Sequence, residues 1–133
     1  MNHVLVVDDE EDVLDLVKTL LTGNGYQVTT AKTGEQALIQ AVENRPDLII
    51  LDLVMPGISG LEVCRLLKSK KDFKKVPIIM MSVLDRPIDH QHIEEAGADH
   101  FIHKPFDIDQ LLITVDKIQY QQTNNTQTAF PNC

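Results

Sequence analysis

Three stretches of this chain, Val4–Val7, Leu48–Leu51 and Ile78–Met81, are apolar at every position. Four residues are too few for a helix, and an unbroken apolar run leaves no face for water. Such runs suit strands covered on both sides, the condition of a parallel sheet with crossover helices above and below it. Between the runs the apolar spacing becomes helical. Val13, Leu14, Val17, Leu20 and Leu21 form one stripe, ended by Gly23 and Gly25. Thr33-x-x-Gln36, Ser59-x-x-Glu62 and Asp107-x-x-Gln110 read as capping boxes opening three more helices. A weaker helical pattern runs from about Pro87 to Ala96 and stops at Gly97. Two further strands complete the set: Tyr26–Ala31, which alternates in polarity, and the short Phe101–Ile102.

Five strands alternating with five helices imply parallel strands joined by right-handed crossovers. The three wholly apolar strands belong in the middle of the sheet, and the alternating second and short mixed fifth at its edges. The expected order is 2-1-3-4-5, a flavodoxin-like doubly wound α/β fold.

The 133 residues suit one domain, and a 43% hydrophobic content is enough to build its core. The formal net charge of −8 argues against direct nucleic-acid binding, which rests on cations meeting phosphates. No apolar run approaches the ~20 residues of a membrane span. Asp8, Asp9 and Glu10 interrupt the only N-terminal apolar stretch, so no secretory signal is expected and a cytoplasmic location is. Cys64 and Cys133 match no metal spacing. The last charged residue is Lys117, and from Gln121 the chain is polar and uncharged. The expected division is a domain over 1–121 and a polar tail or linker start over 122–133. The basic run from Lys68 to Lys75 reads as a solvated helix end, the histidines as surface residues, and Cys64 as a small apolar core residue.

In an open parallel sheet, ligands bind beyond the carboxyl ends of the strands. Strand 1 runs into Asp8-Asp9, strand 3 into Asp52, strand 4 into Ser82, and strand 5 is followed closely by Lys104-Pro105. Singly, each has an ordinary reading as a cap, a turn residue or a solvated charge. Together they place three carboxylates, a hydroxyl and an ammonium at one edge. Crowded carboxylates repel, and a hard divalent cation such as Mg²⁺ relieves that repulsion while sharing phosphate oxygens. Lys104 and Ser82 could neutralise and hydrogen-bond a phosphoryl group. A carboxylate can act as nucleophile and form an aspartyl phosphate, and Asp52 is the candidate.

These residues resemble the receiver domain of two-component response regulators. The resemblance rests on Val6-Val7-Asp8-Asp9-Glu10, the stretch from Asp47 through Asp52 to Pro56 and Gly60, Ile78-Ile-Met-Met-Ser82, Ala96-Gly-Ala-Asp99 and Lys104-Pro105-Phe106. It covers about residues 3 to 120. It implies that Asp52 accepts a phosphoryl group from a sensor histidine kinase or phosphotransfer protein. It further implies that Asp9 holds Mg²⁺ directly, Asp8 mainly through water, and Asp52 and the Val54 backbone carbonyl complete the set. Ser82 and Lys104 would bind phosphoryl oxygens, Ser82 and Phe101 would form the switch, and the Lys104-Pro105 bond would be cis. The surface around helix 4, strand 5 and helix 5 would then control an unidentified partner or output.

Several residues depart from the family pattern. Val83 stands where Ala or Gly is usual, and Val54 and Leu84 are apolar, so slow autodephosphorylation is expected. Phe101 lacks the hydroxyl of the commoner Tyr, so its switch would act through packing. His100, Gln110 and Thr114 stand where charged residues support dimers of winged-helix regulators, so that dimer mode is not expected. Three other readings compete. A haloacid-dehalogenase-type phosphatase needs a second Asp where Val54 stands. A flavin or nucleotide module needs a Gly- or Ser/Thr-rich loop where Asp8–Asp12 lie. A degenerate receiver would not carry the full acidic set.

Overall fold

The computed structural model describes residues 2–84 and 86–128. It contains β1 (His3–Val7), α1 (Glu11–Thr22), β2 (Gln27–Ala31), α2 (Gly34–Asn44), β3 (Leu48–Asp52) and α3 (Gly60–Lys68). A 3-10 turn (Lys71–Phe73) then leads to β4 (Ile78–Ser82), α4 (Pro87–Glu95), β5 (His100–His103) and α5 (Ile108–Thr128). All strand pairings are parallel, and the order is β2-β1-β3-β4-β5, as the strand chemistry implies.

Alternation along the central strands sorts the core into two layers. Leu5, Val7, Ile49, Leu51, Ile78 and Met80 face α2, α3 and α4 through Ala37, Ala41, Val63, Cys64, Leu67 and Ile93. Val4, Val6, Leu48, Ile50, Ile79 and Met81 face α1 and α5 through Leu14, Val17, Leu21, Leu111, Val115 and Ile118. The edge strand β2 buries only Ala31 fully. Tyr26, expected at its start, lies just before it and is buried, its hydroxyl donating to Asp116 of α5 at 2.5 Å. Burial and the Asp116 carboxylate push its pKa far up.

The caps are built less symmetrically than their spacing suggests. Thr33 and Ser59 accept from the backbone N–H of Gln36 and Glu62. Gln36 reaches back to the N–H of Lys32, one residue beyond the expected partner, and Asp107 accepts from Asp109 rather than Gln110. The basic run is not simply solvated. Lys68 is 15% exposed, donates to the carbonyls of Lys74 and Val76, and pairs with Asp99 at 3.0 Å, while Phe73 is buried in the core. Cys64 is fully buried, as expected, and its thiol donates to the Ala96 carbonyl. At the C-terminus α5 continues past 121 to Thr128, and residues 129–133, with Cys133, lie outside the described residues. Among the described residues, no helix is long and apolar enough to cross a membrane.

Candidate functional site

The register of the sheet sets the site. Asp52 pairs with Met81, one position short of the end of β4, and Ser82 pairs with His103, one position before Lys104. Each strand therefore releases its polar residue at the same edge. The Lys104 N–H donates to the Ser82 carbonyl and the Leu53 N–H to the Met81 carbonyl, which continues the ladder past the strand ends. Gly60, at the start of α3, lies so close to β3 that a Cβ there would overlap the Asp52 carbonyl oxygen. Its N–H donates to the Leu53 carbonyl and closes the β3–α3 loop against the sheet.

Asp9, Glu10, Asp52, Val54, Ser82, Val83 and Lys104 line one cleft of about 250 Å³ at this edge. Asp8 lies beneath it, fully buried. Lys104 Nζ sits 2.6 Å from Asp8 Oδ2, 3.5 Å from Asp52 Oδ2 and 3.7 Å from Glu10 Oε1. The second oxygen of Asp8 accepts the Glu10 N–H. Asp52 Oδ1 lies 3.4 Å from the Val54 N–H, and Ser82 Oγ accepts from the Leu84 N–H at 2.9 Å. The Lys104-Pro105 bond is cis.

Burial and the Asp8 charge push the Asp52 carboxyl up to about 6, against the opposing pull of Lys104 and the Val54 N–H. Burial also works against the charge on Lys104. Its hydrogen bond to Asp8 and the charges of Asp52, Asp8 and Glu10 outweigh that and raise its pKa. Lys104 is therefore a cation at neutral pH, and Asp52 is an anion held with little solvent. One lysine does not balance four carboxylates. Asp8, Asp9 and Glu10 present ligand oxygens within 4.8 Å of one another, the donor set of a hard divalent cation.

The structure brings Asp8, Asp9, Asp52, Val54, Ser82 and Lys104 together and adds Glu10, which the sequence reading passed over. Its signal was position: two residues after Asp8, within the turn that Asp8 closes on the Glu10 N–H. Phe101 lies apart from the cleft, half-buried, with its ring edge-on to His90 at 4.5 Å. Leu84, the other apolar residue named beside Val54 and Val83, is not among the residues lining the cleft. It lines a neighbouring hollow with Leu53, Met55 and Leu61. Val54 and Val83 remain at the cleft, 57% and 62% exposed.

The family described as the response regulator receiver domain matches residues 4–116. The alkaline phosphatase synthesis transcriptional regulatory protein PhoP of Bacillus subtilis is 43% identical over 103 residues, 77% of this chain and 42% of that protein. Response regulator MprA of a Mycobacterium species is 40% identical over 110 residues, 83% of this chain and 47% of that protein. This chain thus spans less than half the length of these curated relatives. Among solved structures, chemotaxis protein CheY4 of Vibrio cholerae superposes with a TM-score of 0.84 at 34% identity, covering 88% of this chain and 98% of that one. Response regulator DrrB of Thermotoga maritima gives 0.83 at 31% identity, covering 92% of this chain and 54% of that one.

Proposed function

This chain belongs to the response regulator receiver domain family, a phosphorylation-dependent switch of two-component systems, and from that premise we propose that Asp52 is its phosphoacceptor. The observation that carries the assignment is the convergence of Asp52, Ser82 and Lys104, from three strand ends, on one acidic cleft. An Asp52 oxygen attacks phosphorus, the bond from phosphorus to the donor imidazole nitrogen breaks, and an aspartyl phosphate forms. The imidazole leaves with the bonding electron pair, and it leaves neutral because its other nitrogen already carries a proton. Lys104 is placed to neutralise the phosphoryl oxygens and Ser82 to donate a hydrogen bond to them.

Mg²⁺ fits the carboxylate cluster, and Asp8, Asp9, Asp52 and the Val54 carbonyl would hold it. When bound, it neutralises charge that Lys104 alone does not. The protein is not a classical enzyme, and its only catalysis would be of its own phosphorylation and dephosphorylation. The donor would be a sensor histidine kinase or phosphotransfer protein, and the setting the cytoplasm. The acidic surface supports a domain that does not itself grip nucleic acid. The receiver would occupy 1–121 and control an output through α4, β5 and α5, with Ser82 and Phe101 as the switch pair. Val54 and Val83, neither able to orient a water, support slow loss of the phosphoryl group.

Intact-mass measurement after incubation with Mg²⁺ and a small acyl phosphate tests the assignment. The wild type gains one acid-labile phosphoryl group and Asp52→Asn gains none. Equal labelling of the variant would sink the assignment, and a phospho-form that decays in seconds would remove the role given to the two valines.

A further inference from the structure

Ser82, the last residue of β4, lies at the cleft, and the chain that leaves it puts Val83 at the mouth. Val83 lines both the cleft and an adjoining apolar groove that includes Val13, Leu16 and Phe106. An exposed valine at the rim of a phosphoryl site limits the approach of water only while its backbone is held in place. His103 supplies such a hold. It lies opposite Ser82 in the β4–β5 register, and its Nε2 is 3.1 Å from the Val83 carbonyl oxygen. A carbonyl oxygen only accepts, so this contact requires the proton on Nε2. The adjacent Lys104 N–H bonds the Ser82 carbonyl, so consecutive residues of β5 and its exit grip consecutive carbonyls of the β4 exit.

We infer that His103 is a positioning residue that pins Val83 over the cleft and so lengthens the life of the aspartyl phosphate. The inference rests on Asp52 as phosphoacceptor. His103 touches neither the phosphoryl group nor the attacking water. It acts through Val83, whose methyl groups exclude water from the phosphorus. Hydrolysis adds water at phosphorus, breaks its bond to the Asp52 oxygen and releases inorganic phosphate. No further reactant is needed.

The test uses the full chain labelled with acetyl phosphate and Mg²⁺, freed of excess donor, its decay followed by intact mass. Loss of one hydrogen bond at the loop predicts about fivefold faster decay in His103→Ala. In His103→Gln, whose Nε2 offers an N–H at a similar reach, decay stays within about twofold of wild type. Val83→Ala also decays faster, and adding His103→Ala to it brings no further acceleration, because the two changes act on one element. Wild-type decay in His103→Ala, no rescue by Gln, or independent effects in the double variant would each overturn the inference. A shift in the urea midpoint of His103→Ala with unchanged decay also overturns it, since the bond would then be structural only. Absence of label on wild-type Asp52 would instead overturn the phosphoacceptor assignment, and this inference with it.

Discussion

At the scale of single residues, Asp52 is held in a state that costs the metal-free protein stability. Its side chain is 7% exposed and its carboxyl is pushed from 3.8 to about 6 by burial and by Asp8. A raised carboxyl pKa favours the protonated fold. The contribution is full below 3.8, and it is lost as pH rises through about 6. Two pKa units correspond to about 3 kcal/mol, so the metal-free wild type should lose up to that much between pH 4 and pH 7 from this group. Asp52→Asn removes the loss. In urea unfolding without Mg²⁺ at pH 7.5 it should be the more stable protein by about 2 kcal/mol, and near wild type at pH 4. A variant less stable than wild type at pH 7.5 would contradict the geometry. Cys64 is the opposite case, a group without access. It is fully buried and its thiol is pushed up to about 11 mainly by burial. In a Cys133→Ser background, Cys64 should resist a thiol-reactive disulfide reagent at pH 8 until the protein unfolds. Rapid native-state modification would show that the α3–α4 layer opens.

At the scale of elements, two close approaches hold the loops around the sheet. Gly60 lets α3 start against β3, where a Cβ would meet Asp52 and Leu53 backbone rather than a movable side chain. Gly60→Ala should therefore destabilise by about 2–4 kcal/mol and also weaken labelling of Asp52, because α3 must move away from the acceptor strand. Unchanged labelling with full stability would refute this. Lys68 joins the end of α3 to the segment before β4 and to Asp99 before β5. Removing its ammonium leaves the Val76 carbonyl with one partner fewer and Asp99 without its cation. Lys68→Met should cost about 1–3 kcal/mol in urea unfolding with little change in the slope. A surface lysine of a solvated run would cost almost nothing.

At the scale of the whole molecule, the sheet links the cleft to a distant surface. Ser82 ends β4 and Lys104 follows β5, and the next helices along the chain are α4 and α5. Groups drawn toward a phosphoryl on Asp52 therefore pull on these two helices more than on α2. With acetyl phosphate and Mg²⁺, amide shifts in a ¹⁵N spectrum should concentrate in α4, β5 and the start of α5, and spare α2. Shifts confined to the cleft would refute propagation along that route. If the folded cluster holds the cation as proposed, Mg²⁺ alone should raise the urea midpoint at pH 7.5, because it would relieve the repulsion of Asp8, Asp9, Glu10 and Asp52.

The strand order, the sorting of Val4–Val7 and Ile78–Met81 between two core layers, and the edge that collects Asp52, Ser82 and Lys104 were legible in the sequence. The order follows from which strand runs are apolar throughout, the sorting from the alternation of side chains along a strand, and the shared edge from the parallel direction of the strands. Which oxygen each donor takes was not legible. Lys104 lies closest to Asp8, 96 positions away, and Glu10 joins the cleft while Leu84 turns out of it. Lys68 leaves water for two carbonyls and Asp99. These outcomes depend on side-chain reach and on desolvation, and both are set only when distant segments pack. The amino-acid sequence by itself determined the fold and the strand-end residues of the site, Asp8, Asp9, Asp52, Ser82 and Lys104. The tertiary structure decided its pairing of charges, because a charge leaving water takes the partner that packing puts within reach.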